Sequence, residues 1–235
     1  MHTLQTILLV APVLLFSVIA HEIAHGYVAL LQGDRTALDA GRLTWNPVKH
    51  IDPYLTILLP LIMLTGSLIS GGRAIVLGGA KPVPVDPRNY RHVRRGDILV
   101  SLAGVATNFV VALVCALCIV LTGALARSVS PLEPTLGIMQ AMFVYGIWLN
   151  AGLIAFNLLP IPPLDGSHVA KYLLPRPLAL RYVRLGRYGL LILILLLSFG
   201  ERILGYWLAP ALAGAQQLLD AVTAFVLPTA AQWLQ

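Results

Sequence analysis

Charged residues are scarce in this sequence. Only 11% of its 235 residues are charged and 58% are hydrophobic, whereas a soluble domain carries about 25% charged residues. This composition excludes a disordered segment and an ordinary soluble domain. The net charge of +6 comes from residues concentrated in two loops, so we expect no nucleic-acid partner. The sequence therefore predicts an integral membrane protein that is surrounded by the lipid bilayer.

Cysteine is almost absent as well. The two cysteines, Cys115 and Cys118, lie inside an apolar run, which excludes a disulfide framework. Their C-x-x-C spacing could belong to a redox or zinc site, but such a site would need further ligands or a water-accessible loop. We favour the interpretation that both are ordinary apolar side chains.

Long apolar runs make up most of the chain. A membrane-spanning helix needs about 20 largely apolar residues, and four segments meet this requirement: Leu4 to Leu31, Ile98 to Ala126, Leu136 to Leu159, and Tyr188 to about Leu208. Two further segments are weaker candidates. Tyr54 to Ser70 is shorter and contains Pro60, and Pro210 to Leu227 is amphipathic, which is typical of a helix at the membrane interface. We predict an all-α polytopic membrane protein built as a transmembrane helix bundle.

The first span contains three ionisable residues within five positions, in the motif His21-Glu22-Ile23-Ala24-His25. Ionisable groups cost about 2.5–3.5 kcal/mol each at the centre of a membrane segment, so they indicate function. His21 and His25 share one helix face because they are four residues apart. Two such imidazoles can bind one metal ion, and Glu22 beside them can take a proton from water that zinc activates.

Asp165 is the candidate for a third ligand. A catalytic zinc usually takes three protein ligands and keeps one position open. Asp165 directly follows a span, in the sequence Asn157-Leu-Leu-Pro-Ile-Pro-Pro-Leu-Asp165-Gly166. The prolines break the helix, and such irregular backbone is tolerated at membrane depth where it lines a cavity. The alternative is that Asp165 only caps the helix that follows.

Three motifs together resemble the site-2 protease family of intramembrane zinc metalloproteases, in its bacterial branch without PDZ or nucleotide-binding regulatory domains. They are H-E-I-A-H at 21–25, S-L-A-G-V-A-T-N at 101–108, and N-L-L-P-I-P-P-L-D-G at 157–166. The segments Gly41 to Pro53 and Ala80 to Val85 also look like this branch. One departure is Val105, where the family commonly has proline.

The resemblance implies one Zn²⁺ per chain, bound by His21, His25 and Asp165, with Glu22 as general base and acid. It also implies that Asn157 and Asn108 support the substrate or the transition state, although an interhelical hydrogen bond explains Asn108 equally well. The implied activity is cleavage of peptide bonds in single-pass transmembrane proteins, within or near the bilayer. A zinc hydrolase acting on a lipid or small amide and a non-catalytic metal-binding membrane protein remain as alternatives.

The resemblance and the spans together suggest one membrane-embedded metalloprotease domain over residues 1–235. Its catalytic core would cover about residues 4–175, and C-terminal helices would cover about 188–227. Nothing in the sequence specifies an oligomeric state.

Positive charge predicts the orientation in the cell membrane. Eleven of the 16 Lys and Arg residues lie in the loops Gly71 to Asp97 and Ile161 to Arg187, which the positive-inside rule places in the cytoplasm. Asp165 lies in the second loop and must meet the histidines at one ion, so we predict a multi-pass protein whose active site opens toward the cytoplasm.

The same constraint affects the segment between the first two clear spans. Tyr54 to Ser70 should enter and leave the membrane on one side, and we predict a re-entrant segment in preference to a full span. Ala74 to Val85 is predicted to be extended or a short strand. Such an edge could pair with an unwound substrate by strand addition.

Overall fold

The computed structural model describes residues 2–58 and 79–234. Helices dominate these residues and no strand occurs among them, so the predicted all-α class is confirmed. The α-helices of the described residues are, in chain order, α1 (His2–Leu31), α2 (Thr36–Asp39), α3 (Val93–Ser128), α4 (Glu133–Asn157), α5 (Asp165–Ala170), α6 (Arg176–Leu185), α7 (Gly189–Phe199), α8 (Glu201–Val222) and α9 (Pro228–Trp233).

Four stretches of the described chain are long and apolar enough to cross a membrane: Gln5–Leu31, Val93–Ser128, Ser130–Asn157 and Arg176–Phe199. The first three match the predicted spans. The fourth was expected from Tyr188 to about Leu208, but its helix α7 ends at Phe199. Gly200 leaves the helical conformation with φ −99° and ψ 25°, and α8 then begins. Hydropathy misses this break because the sequence becomes apolar again a few residues later.

Two predicted features fall partly outside the described residues. Of the predicted re-entrant segment Tyr54 to Ser70, the structure describes only the beginning, which belongs to the π-helical turn Pro53–Leu58. The predicted extended stretch Ala74 to Val85 is described from residue 79 onward, and residues 79–86 are neither helix nor strand. The Pro210 to Leu227 segment is divided, since α8 ends at Val222.

The described chain forms two compact units. The first comprises Met1–Ser17, Val105–Phe156 and Tyr206–Gln235. Fully buried Gln140 organises this unit, because its amide donates to the carbonyl of Ile119 at 3.0 Å and accepts from the N–H of Leu227 at 2.8 Å. A buried amide with its donor and acceptor both used stabilises a helix pairing in an apolar environment.

Close helix packing in the first unit also explains one cysteine. A Cβ placed on Gly146 of α4 would lie 2.7 Å from the Cys115 Sγ atom of α3. The Cys115 thiol is therefore in contact with the backbone of α4, and its side chain is buried. This packing is that of a small apolar side chain.

The second unit comprises Val18–Gly104 and Asn157–Gly205 and contains the H-E-I-A-H motif together with Asp165. Asp97 anchors α5 in this unit, since it is 2% exposed and accepts from His168 Nδ1 at 3.0 Å and from the Tyr172 hydroxyl at 2.9 Å. Its third partner is the Lys171 ammonium at 2.5 Å. These contacts fix the end of α5 opposite to Asp165 against the beginning of α3.

A second buried carboxylate organises the chain after α1. Asp34 is fully buried and accepts hydrogen bonds from the N–H of Asp86 at 2.7 Å and from the Asn89 amide at 2.9 Å. Burial acts to raise the pKa of Asp34, but these bonds and those from Thr36 outweigh it and lower the pKa below its ordinary value. Asp34 thereby holds the segment around residues 83–89 next to α1.

Candidate metal centre

The structure brings His21, His25 and Asp165 together. The Nε2 atoms of the two histidines lie 2.9 Å apart. Asp165 Oδ2 lies 3.2 Å from the His21 Nε2 atom and 3.5 Å from the His25 Nε2 atom. His21 is 7% exposed. Three potential ligand atoms therefore form a compact triangle inside the second unit, with all of them within 4.8 Å of one another.

This triangle fits a zinc ion. Tetrahedral coordination with bonds of ~2.0–2.2 Å separates ligand atoms by ~3.3 Å, close to the two Asp165 distances above. Asp165 Oδ2 is buried, and within the described residues its contacts do not have the angles of a hydrogen bond. Two imidazole nitrogens and one carboxylate oxygen form a donor set that catalytic zinc uses while it keeps one position open.

The backbone of α3 orients His25. The His25 Nδ1 atom lies 2.7 Å from the carbonyl oxygen of Val100. Because a carbonyl only accepts, Nδ1 must carry the proton, and Nε2 is left with its lone pair directed at His21 and Asp165. A partner of this type fixes the tautomer and ring orientation of a metal-binding histidine.

Two glycines allow backbone to approach the triangle. A Cβ on Gly104, in the S-L-A-G motif, would lie 2.6 Å from both nitrogens of the His21 ring. A Cβ on Gly166, directly after Asp165, would lie 2.7 Å from the carbonyl oxygen of Leu159 and closer still to that of Leu158. Any side chain at either position would displace the residues that hold a ligand.

Glu22 lies beside the triangle and is held by backbone. Its Oε2 atom accepts a hydrogen bond of 2.8 Å from the N–H of Val83. The Val83 side chain packs over the same face of α1, since a Cβ on Gly26, one turn after Glu22, would lie 2.8 Å from the Val83 Cγ1 atom. Gly26 thus lets the segment around Val83 lie directly on the helix that carries Glu22.

The sequence around Val83 leaves a single donor there. Pro82 and Pro84 have no N–H, so the amide of Val83 is the one donor between Lys81 and Val85. Lys81 fixes the segment from its other side, because its N–H donates to the His50 carbonyl and its carbonyl accepts from Arg42, both at 2.8 Å. The sequence predicted a family resemblance and a possible substrate-pairing edge for A-K-P-V-P-V, but not the hydrogen bond to Glu22.

The two asparagines occupy different units. Asn157 is the last residue of α4, belongs to the second unit with Asp165, and is half-buried. Asn108 is fully buried in α3, one turn after Gly104, and belongs to the first unit. Their predicted contributions to substrate binding therefore stay predictions.

Comparison with known proteins agrees with this chemistry. The model of peptidase family M50 matches residues 9–197, which contain the triangle and Glu22. The chain belongs to peptidase family M50. The M50 match confirms the resemblance to the site-2 proteases and the peptidase activity that it implies. No solved structure matches the chain.

Similarity to bacterial zinc metalloproteases supports zinc as the metal. The chain is 36% identical over 216 residues to a Bacillus subtilis (strain 168) protein named "Putative zinc metalloprotease YwhC", covering 92% of this chain and 91% of the relative. It is 32% identical over 153 residues to "Putative zinc metalloprotease Rip2" of Mycolicibacterium smegmatis, covering 65% of this chain and 52% of the relative. Together with the triangle, these M50 relatives identify Zn²⁺ as the cofactor of a membrane-embedded metalloprotease.

Proposed function

We propose that this M50 protein cleaves peptide bonds of single-pass transmembrane proteins within or near the bilayer, using His21, His25 and Asp165 to bind zinc and Glu22 as general base and acid. The observation that carries the proposal is the buried triangle of Nε2, Nε2 and Oδ2 atoms, with distances of 2.9, 3.2 and 3.5 Å. Glu22 directly follows His21 on α1, and its carboxylate accepts the N–H of Val83.

The ligands come from positions with little freedom. His21 and His25 lie on consecutive turns of α1, and Asp165 lies in the first turn of α5. The Val100 carbonyl and the Asp97 cluster fix these elements from outside. A ligand set fixed in this way binds the ion at a lower entropic cost than one on mobile loops.

Glu22 performs the proton transfers in this proposal. When bound, zinc polarises the scissile carbonyl and lowers the pKa of water in the open position. Glu22 takes a proton as the water oxygen bonds to the carbonyl carbon, and it delivers that proton to the amide nitrogen as the C–N bond breaks. The Val83 N–H directs one carboxylate oxygen, which leaves the other free to accept the proton.

The two asparagines are proposed to bind the substrate. Asn157 ends α4 eight residues before Asp165, and its amide N–H can stabilise negative charge on the scissile carbonyl oxygen. Asn108 is proposed to hold the substrate backbone. We assign both a supporting role, since neither carries the proton transfer.

The active site is proposed to open toward the cytoplasmic side of the cell membrane. Eleven of the 16 Lys and Arg residues lie in the two loops on either side of the α3–α4 pair, and such loops remain cytoplasmic. Residue Asp165 follows α4 at the beginning of one of these loops, which puts water access on the same side.

Metal content and cleavage, measured on matched variants, test this proposal. Wild type and Glu22→Gln should each bind one zinc per chain, whereas Asp165→Ala and His21→Ala should bind less. Only the wild type should cleave a model transmembrane substrate in detergent. Full cleavage by Glu22→Gln would eliminate the base assignment, and undiminished zinc in Asp165→Ala would eliminate the third ligand.

A further inference from the structure

A basic groove lies in the second unit, away from the metal triangle. It has a volume of about 770 Å³ and runs between the beginning of α3 and one face of α6. Arg94 and Lys171 lie on one side, and Arg176, Leu180, Val183 and Arg184 line the other. None of the residues that line this groove is acidic. The groove thus combines cationic groups with an apolar wall.

Three of the cations lack a matching carboxylate. The Lys171 ammonium lies 2.5 Å from Asp97, so its charge is balanced. Within residues 2–58 and 79–234, no ion pair joins Arg94, Arg176 or Arg184 to an acid. The groove therefore carries an excess positive charge that favours an anionic ligand, and guanidinium groups suit a phosphate because they can bind two of its oxygens.

The apolar wall distinguishes this groove from a site for a free anion. No residue of α6 is buried, and Leu180 and Val183 are 65% and 55% exposed. Helix α6 continues through one 3₁₀ turn into the strongly apolar α7, and together they form the candidate span Arg176–Phe199. Because α6 carries Arg176, Arg181 and Arg184, it forms the interfacial end of this candidate span, with headgroups beside its cations and acyl chains beside its leucines.

We propose that the basic groove binds an anionic phospholipid, with its phosphate between Arg94, Arg176 and Arg184 and one acyl chain along Leu180 and Val183. The groove brings cationic side chains together with an exposed apolar wall on a candidate span.

The end of α6, which lines the groove, packs against the loop that precedes Asp165. A Cβ on Gly186, directly after α6, would lie 3.3 Å from the Pro162 Cβ atom, and one on Gly189 would collide with the Pro162 carbonyl. The lipid would therefore stabilise the helix against which the Pro162 loop packs.

Lipid binding to the full chain in detergent tests this inference without a cleavage assay. The probe is short-chain phosphatidylglycerol, compared with phosphatidylcholine of the same chain length and with glycerol phosphate. The test variant is Arg176→Gln/Arg184→Gln. Its matched control is Arg181→Gln/Arg187→Gln. This variant also loses two positive charges from the same region, but neither arginine lines the groove. Calorimetry gives the affinities, and thermal unfolding verifies that both variants fold.

Each arginine near the membrane surface contributes roughly 5-fold in affinity for an anionic lipid. We expect the groove variant to bind phosphatidylglycerol roughly 25-fold more weakly, while the control variant keeps wild-type affinity. Phosphatidylcholine and glycerol phosphate should bind much more weakly than phosphatidylglycerol.

Three results would overturn the inference. Equal losses in both double variants would show a diffuse charge effect with no defined site. Glycerol phosphate binding as tightly as the lipid would show a site for a free anion. Saturation by an acidic peptide, with no binding of phosphatidylglycerol, would show that the groove serves a protein partner.

Discussion

Replacing Val83 by proline should impair catalysis without removing zinc. The substitution deletes the single N–H that donates to Glu22 Oε2 at 2.8 Å, in a segment where prolines already occupy positions 82 and 84. A hydrogen bond to a charged acceptor contributes ~1.5–3 kcal/mol. If that energy is lost from the transition state, kcat falls by roughly 10- to 150-fold.

Two controls separate the hydrogen bond from packing. Val83→Ala removes methyl groups that pack over Gly26 but keeps the N–H, so it should retain most of kcat. Val85→Pro places proline in the same segment at a residue whose N–H makes no hydrogen bond within the described chain. It should reduce activity far less than Val83→Pro.

The assay is steady-state cleavage of a model transmembrane substrate in detergent, with kcat, KM and zinc content measured on each variant. A loss confined to kcat, at full zinc content, is expected because Val83 positions Glu22 and not the ligands. An unchanged or higher kcat in Val83→Pro would therefore refute the positioning role.

Three further substitutions test the supports of the site. Gly104→Ala should lower zinc content, because its Cβ would lie 2.6 Å from His21 ring nitrogens; full zinc occupancy in this variant would contradict the close approach. Asp97→Ala removes the charged acceptor of His168 and Tyr172 and should destabilise the fold by ~1.5–3 kcal/mol, measured by chemical unfolding in detergent; an unchanged midpoint would show that the cluster contributes nothing. Asp34 has a folded pKa below its ordinary value of 3.8, so its contribution to stability is complete above that pH and is lost as the pH falls through the folded value. In Asp34→Asn, the free energy of unfolding should therefore fall less steeply than in wild type as the pH drops from about 5 to 2. An unaltered pH dependence would refute this.

Hydropathy predicted most of the fold because lipid imposes a length and an apolar character on each span. It failed at Gly200, where one residue in non-helical conformation ends α7, since averaging over a window hides a single break. The expected boundaries of the first three spans needed only small changes, because their ends coincide with polar or proline-containing turns.

The residues proposed as ligands could be selected from the sequence for a different reason. His21 and His25 are unusual in an apolar helix, and Asp165 follows a proline-rich break. Their residue types and positions therefore distinguish them in the sequence. The contributions of Val83, Val100 and Gly104 come from an amide, a carbonyl and a missing side chain. Such contributions depend on which segments contact each other in the folded chain. Residue types alone do not indicate these contacts.

These backbone contributions explain how α1 accommodates three ionisable residues and still has the composition of a span. His25 pairs with a carbonyl of α3, and Glu22 accepts from the amide of Val83. The polar face is confined to the interior of the second unit, since His21 is 7% exposed whereas Leu31, farther along α1, is 61% exposed. Two imidazole nitrogens and one carboxylate oxygen face one another beside these bonds. A divalent cation bound as proposed would satisfy all three at once, so the chemistry of the site and its stability in a membrane would then depend on the same ion.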